Sequence, residues 1–385
     1  MRIAFFSTMM GLPWGGSEEL WCGAARVLLE RGHRVAFNCM RWPTTAAKLQ
    51  QLVDKGAEPH FRSRRRMGRT LRQTLEKLRL TRRKYMPWLR KCQPDFVLIS
   101  FSCHTDEPQI AVTCHAMGIP YAIVLQAAGP HNWMDTRHLD DYRAAYAHAS
   151  RCFFVSNENR EIVESNLAID LPRSEIVDNP FTVTSTAAPT WPATLPHWKL
   201  ACVARIHYIT KSQDLLIRVL RQPKWRTRPL HVTLWGHDNG NLNQFRRALD
   251  IYGLHRQITY GGVSSNIEQL WAEHHGLLLP SRAEGNALSL IEAMICGRVP
   301  ITTKTGRAAE LVDDNESGFL APAATAELLD EVLERAWKRR DDWRAMGERA
   351  ARVIRARHSL QPAEDFADDI LSATSNKIAV RKLAA

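Results

Sequence analysis

Residues 280–297 read P-S-R-A-E-G-N-A-L-S-L-I-E-A-M-I-C-G, and they follow an apolar run at 276–279 short enough to be one buried strand. Gly285 and Asn286 break that run; Asn286 suits the N-cap of a helix over 287–296, and Gly297 is placed to end it. Glu284 then lies in the turn at the carboxyl end of a strand, and Glu292 lies inside the helix. Leu288, Leu290, Ile291, Met294 and Ile295 leave that helix little polar face, so a carboxylate at 292 is costly unless something hydrogen-bonds it. Two kinds of partner would do so: a core arginine, or the hydroxyls of a ligand whose phosphate faces the unpaired N–H groups at the helix start.

Outward from this stretch, short apolar runs alternate with helical periodicity along the whole chain. The second half has runs at 200–203, 231–235, 258–260, 276–279 and 300–302, followed by amphipathic patterns at 327–338, 342–355 and 362–371. The first half has runs at 3–6, 34–38, 96–101, 121–125 and 152–155. Between them, 183–198 is rich in Pro, Ser and Thr without a helical period, as a linker is. A chain of 385 residues is too long for one core. The reading is α/β, two doubly wound Rossmann-like domains at 1–182 and 199–358, facing a cleft.

Polar groups gather where these runs end. Arg205 and Lys211 stand six apart in the loop after 200–203, where an Arg fork and a Lys point charge can clamp a diphosphate; as two exposed loop cations they would do nothing. Gly236 and the Gly261-Gly262-Val263 turn also fall at strand ends, where open α/β sheets bind nucleotides. In the first half, Gly11-Leu-Pro-Trp-Gly15-Gly16-Ser17-Glu18-Glu19 leads from a strand into a helix that Ser17 can cap. That is an anion-binding arrangement, or simply a tight turn. Gln126 follows the run at 121–125, and His131 and Trp133 lie a few residues beyond it.

Composition limits the function classes. A hydrophobic content of 45% and a charged content of 24% suit an ordinary globular chain, and no apolar run approaches a membrane span. Eight cysteines without C-x-x-C spacing, and no H-E-x-x-H, point to reduced thiols and away from a metal site. The net charge of +12 is local: thirteen bases and one acid fall within 62–91, and the remainder of the chain balances. Leu71, Leu75 and Leu78 mark a helix over 67–86, ended by Pro87, whose other faces carry arginine. Arg64, Arg65, Arg66, Arg69, Arg72, Arg82 and Arg83 form a patch suited to an anionic membrane surface or an acidic acceptor.

Glu284 and Glu292, separated by seven residues of which the first is Gly285, and the A-M that follows resemble the motif of the retaining GT-B glycosyltransferases of family 4. The resemblance implies that Glu284 sits at the transferred sugar and Glu292 at the nucleotide ribose. It implies donor contacts from Gly236, Asn286, Ala287 and Leu288, phosphate contacts from Arg205 and Lys211, and a base-contacting region at Gly261-Gly262-Val263. Gly15, Gly16 and Glu18 match the family's Gly-Gly-x-Glu, which touches the donor diphosphate. The G-R-A-A-E run at 306–310 resembles the family's glycine-and-acid turn. Where many members carry a histidine at the fifth strand end, this chain has Gln126, with His131 five residues on. The resemblance also implies that a C-terminal helix, 359–374, crosses back to the first domain, leaving 375–385 as a frayed tail.

The expected function is transfer of a sugar, with retention, from a UDP- or GDP-linked donor to a glycan or lipid-linked acceptor. Surface polysaccharide or lipopolysaccharide assembly is the expected setting, in the cytoplasm at the inner membrane face. Neither a cofactor nor a metal is expected, since two cations stand at the phosphates and no Asp-x-Asp occurs. A nucleic-acid-binding protein using 62–91 would leave Arg205, Lys211, Glu284 and Glu292 without a role. A GT-B phosphorylase or epimerase is the rival within enzymes. Replacing Arg64, Arg65 and Arg66 together by Ser is expected to weaken cosedimentation with phosphatidylserine vesicles and to flatten its salt dependence. Unchanged binding and salt dependence would remove the membrane reading.

Overall fold

The computed structural model describes residues 1–63, 84–183, 188–193 and 197–383. The arginines at 64, 65, 66, 69, 72, 82 and 83 therefore lie outside the described residues. Two compact units are present: Met1–Pro180 with Gln361–Ala385, and Phe181–Leu360. Each is built on one parallel sheet in a Rossmann-like arrangement.

The first sheet contains β1 (Arg2–Ser7), β2 (Arg34–Met40), β3 (Glu58–Arg62), β4 (Phe96–Phe101), β5 (Tyr121–Leu125), β6 (Cys152–Phe154) and β7 (Ser174–Ile176). Their order across the sheet is β3-β2-β1-β4-β5-β6-β7. β4 and β5 are buried along their full length, as a parallel sheet covered on both faces requires. The helix Gly16–Glu30 packs against the last helix, Pro362–Leu383. A Cβ at Gly23 would stand 2.9 Å from that of Ala363, so only glycine allows this approach. Phe366, Ala367 and Ile370 share one apolar core with Leu20, Trp21 and Leu28. The C-terminal helix is thus part of the first unit, and it continues through the stretch expected to be a frayed tail.

A local expectation fails at the first helix start. Gly15, not Ser17, is the N-cap of Gly16–Glu30, and no side chain caps it. Pro87 lies in the first turn of the helix Met86–Cys92, where its missing N–H costs nothing; the helix expected over 67–86 falls almost wholly outside the described residues. Ser156 does cap Asn157–Leu167, accepting from the Asn159 N–H at 3.2 Å.

The second sheet contains β8 (Trp198–Val203), β9 (Leu230–Trp235), β10 (Ile258–Gly262), β11 (Gly276–Leu279), β12 (Val299–Thr303) and β13 (Phe319–Ala321), ordered β10-β9-β8-β11-β12-β13. Arg298 is buried just before β12 and donates only to carbonyls: Nε to Trp271 at 2.6 Å, Nη2 to Pro189 at 3.0 Å and Thr190 at 2.7 Å. Those last bonds fasten part of the Pro-rich stretch to the second unit. Sequence order breaks between β1 and β4 in one sheet and between β8 and β11 in the other, and ligands of open α/β sheets bind at the carboxyl ends beside such breaks. No helix among the described residues is long and apolar enough to cross a membrane.

Candidate functional site

In the second unit, the loops after β8 and β11 flank the break in strand order and are fastened together. Arg282 makes a bidentate ion pair with Asp214 at 3.0 and 2.9 Å, and its Nη1 also donates to the Tyr208 carbonyl at 2.7 Å. The Arg282 N–H donates to the Thr210 carbonyl at 2.8 Å. Gln213 braces the first loop from inside, donating to the Arg205 carbonyl at 2.7 Å and accepting from the His207 N–H at 3.2 Å. Lys211, ending the short helix Tyr208–Lys211, then places Nζ 2.6 Å from both Glu284 oxygens. Ser281 Oγ donates to the same carboxylate at 2.6 Å.

The positive charge of this loop acts on its neighbours. Burial lowers the His207 imidazole below its ordinary pKa, and the charges of Arg205 and Lys211 lower it further. His207 Nδ1 is 2.7 Å from Thr210 Oγ1. The Arg205 side chain is half-buried and has no hydrogen-bond or ion-pair partner among the described residues.

Two glycines bring the backbones close enough for this geometry. A Cβ at Gly236 would lie 2.1 Å from the Ala204 carbonyl oxygen, and one at Gly306 would lie 2.2 Å from that of Gly285. The Arg307 N–H donates to the same Gly285 carbonyl at 2.8 Å. The helix expected to begin at Asn286 is Leu288–Ile295 with Ala287 as its N-cap, and Ala287 has no side-chain acceptor for the first N–H groups. Asn286 is buried beneath that start. Glu292 is buried on this helix and accepts from Thr182, from N–H at 3.1 Å and from Oγ1 at 2.6 Å. Val263 is half-exposed after β10.

In the first unit, the loop after β1 leads through Gly15 and Gly16 to Glu18, which is buried and accepts from Ser7 Oγ at 2.9 Å. Gln126 is buried at the end of β5, and its side-chain amide has no partner among the described residues. His131 is exposed. A different histidine stands beside the β5 end: His104, supplied by the loop after β4. Its backbone N–H donates to the Ala127 carbonyl at 3.0 Å, and its Nε2 is 2.9 Å from the Asn132 carbonyl oxygen. Burial would lower the His104 imidazole, but its contacts with Cys103 and Asn132 carry it above its ordinary value. The sequence signal for it is the polar C-H-T-D run closing an apolar strand. Trp133 is exposed.

The structure therefore brings Lys211, Glu284 and Ser281 into contact, and Arg205 and His207 belong to the same loop as Lys211. Among the described residues, no three His, Cys, Asp or Glu side chains gather as a metal site.

Comparison with known proteins finds glycosyltransferase domains in both halves. Residues 14–184 match the model described as Glycosyltransferase Family 4, and residues 198–338 match Glycosyl transferases group 1. A glycogen synthase of Xanthomonas campestris pv. campestris is 45% identical over 62 residues, 16% of this chain; the chain matches only 13% of that protein's length. Among solved structures, Anabaena Alr3699/HepE in complex with UDP-glucose has a TM-score of 0.71 at 17% identity, over 97% of this chain and 100% of that one. The lipopolysaccharide outer core galactosyltransferase WaaB has a TM-score of 0.69 at 16% identity, over 97% and 99%. At these identities the structural likeness speaks for the fold.

The electrostatics of Glu18 give a pH dependence. Burial raises its carboxyl from 4.5 to about 7, against the opposing effects of Ser7, Trp21 and Arg62. Because the folded state holds this proton more tightly than the unfolded chain does, the group costs no stability below pH 4.5, and its cost grows as pH rises to about 7. Glu18→Gln is expected to remove that decline and to stabilise the first unit at pH 8 by on the order of 3 kcal/mol. Urea unfolding of both forms at pH 5 and pH 8 measures it; equal pH dependence in both would refute the assignment.

Proposed function

From a chain made of a family 4 and a group 1 glycosyltransferase domain, we propose a retaining transferase that moves a sugar from a nucleoside-diphosphate donor to a glycan or lipid-linked acceptor. The observation that carries this is the convergence of Lys211 and Glu284 at the break in strand order of the second sheet. Transfer requires a diphosphate to leave while positive charge builds on the anomeric carbon. Fixed cations at the leaving oxygens lower that barrier without reorganising during the reaction. Lys211 and Arg205 are those cations, and the uncapped amides at the start of Leu288–Ile295 add aligned dipoles. With these groups at the phosphates, the reaction needs no divalent metal.

Glu284 is suited to orient sugar hydroxyls and poorly suited to attack carbon. Lys211 engages both of its oxygens and Ser281 engages one, which lowers the carboxylate's nucleophilicity. This favours retention by attack of the acceptor on the face the leaving group departs from, with no protein nucleophile. Glu292, already ordered by Thr182, is placed to accept from the ribose hydroxyls, since a carboxylate accepts several hydrogen bonds. The base is uracil on this reading, as the fold's likeness to a protein solved with UDP-glucose suggests. The arginine run before Met86 and the likeness to a lipopolysaccharide galactosyltransferase favour an acceptor at the inner membrane face, in surface polysaccharide or lipopolysaccharide assembly.

Lys211→Ala strands a buried carboxylate, so stability and chemistry must be separated. The single variant is expected to lose about 3 kcal/mol of stability. The double variant Lys211→Ala/Glu284→Gln should recover much of that loss. Both should turn over UDP-glucose roughly a hundredfold more slowly or worse. Stable but fully active double-variant protein would overturn the site. In a thermal-shift comparison, UDP-glucose should raise the melting temperature of the unaltered protein more than GDP-mannose does, because a ligand of the folded state alone stabilises it.

A further inference from the structure

All twelve tryptophans lie in the described residues, and Trp133 alone is exposed, at 70%. Large aromatic rings are normally used to bury area, so a ring left in solvent forgoes the stabilisation it was able to supply. Looseness of the loop does not account for it, because the backbone is held on both sides. The residue before, Asn132, has its carbonyl 2.9 Å from His104 Nε2, and its N–H donates to the Gly129 carbonyl at 3.1 Å. The residue after, Met134, is 3% exposed in the core, and its N–H donates to Asn166 Oδ1 at 3.3 Å. Asp135 then caps the turn Thr136–His138, accepting from the Arg137 N–H at 3.0 Å. A clamped backbone thus presents one indole to solvent.

The surroundings narrow what the indole receives. No other large hydrophobic residue is exposed among the described residues between Met10 and Ile209, so no apolar patch extends in sequence from the ring for a protein or acyl chain. Its chain neighbours His131, Asn132 and Arg137 are polar and exposed. The loop leaves the carboxyl end of β5 and is fastened by His104 to the end of β4, the side of the sheet on which open α/β folds bind ligands. A flat ring among polar side chains matches a pyranose, whose C–H face is apolar and whose rim is hydroxyl.

We propose that Trp133 is a carbohydrate-stacking platform on the first unit, receiving one pyranose ring of the acceptor on its indole face. His131 and Asn132 meet the hydroxyls at the rim, and His104 is a positioning residue that fixes the platform through the Asn132 carbonyl. The word acceptor rests on the transferase reading; the platform itself does not. The test uses the full chain with Trp133→Ala and Trp133→Phe on a printed array of neutral gluco-, galacto- and manno-oligosaccharides, with UDP-glucose thermal shift as a separate arm. The unaltered protein is expected to bind at least one saccharide. Trp133→Ala should bind it at least tenfold more weakly, Trp133→Phe should retain most of the binding, and all three should share one melting temperature and one UDP-glucose shift. Absence of saccharide binding by the unaltered protein, or equal binding by Trp133→Ala, overturns the platform. Loss of the UDP-glucose shift in every form would instead count against the donor reading and leave the saccharide result to be judged by itself.

Discussion

The ion pair between Arg282 and Asp214 joins two loops that are about seventy residues apart in sequence, and the rest of the second unit's site depends on that join. β8 and β11 are neighbours in the sheet only because the chain reverses its direction of strand addition there. A gap opens at such a reversal, since the crossovers on its two sides lie on opposite faces. Arg282 closes part of it with two carboxylate bonds and two backbone bonds. With the loops so joined, Lys211 has one place to put its ammonium group, against Glu284. Without the join, a four-carbon side chain would spread its charge over many rotamers, and a buried carboxylate would be unpaired.

Backbone proximity supplies what side chains cannot. Gly236 stands against Ala204 and Gly306 against Gly285 at distances no Cβ tolerates, and both carry positive φ. Each glycine therefore serves twice, by its conformation and by its lack of volume. Together they hold the loops bearing Arg205 and Glu284 from behind, and the polar side chains in front are spared that task.

Much of this was legible in the sequence where the cause is local, and little of it where the cause is distant. The runs at 96–101, 121–125 and 276–279 are strands to the residue, because strands buried on both faces are continuous apolar segments. Lys211 and Glu284 stand out by position after a strand and by resemblance to the family 4 motif, which implies that both meet the donor; their direct ion pair is visible only in the structure. Ser17 and Asn286 look like caps by composition, yet Gly15 and Ala287 hold those places because the helices begin where the packed loops leave them. The Pro-rich stretch reads as a free linker, but Arg298 takes two of its carbonyls from more than a hundred residues away. His104 escaped notice for the same reason: its importance lies in Ala127 and Asn132, which the sequence does not show to be near.

Buried charge separates the structural from the functional positions. Arg298 is as deeply buried as any charged side chain here, and burial lowers its pKa to about 10; every bond it makes is to a carbonyl, so it acts as a strut. Arg62, counted by sequence within the basic run, is likewise turned inward. It donates to the Asn38 carbonyl at 3.0 Å and to the Ser7 carbonyl, with its guanidinium 4.2 Å from the Phe6 ring centre. Yet Arg62 stands at the carboxyl end of β3, and its charge partly offsets the burial that raises the Glu18 carboxyl to about 7. Lys211 and Glu284 occupy the equivalent place beside the break in the second sheet. Burying an ion pair seldom repays its desolvation in stability, so packing alone would not have put charge at both breaks. On the function proposed above, that charge serves a charged, hydroxyl-rich ligand, whereas Arg298, at the opposite end of β12, serves the fold alone.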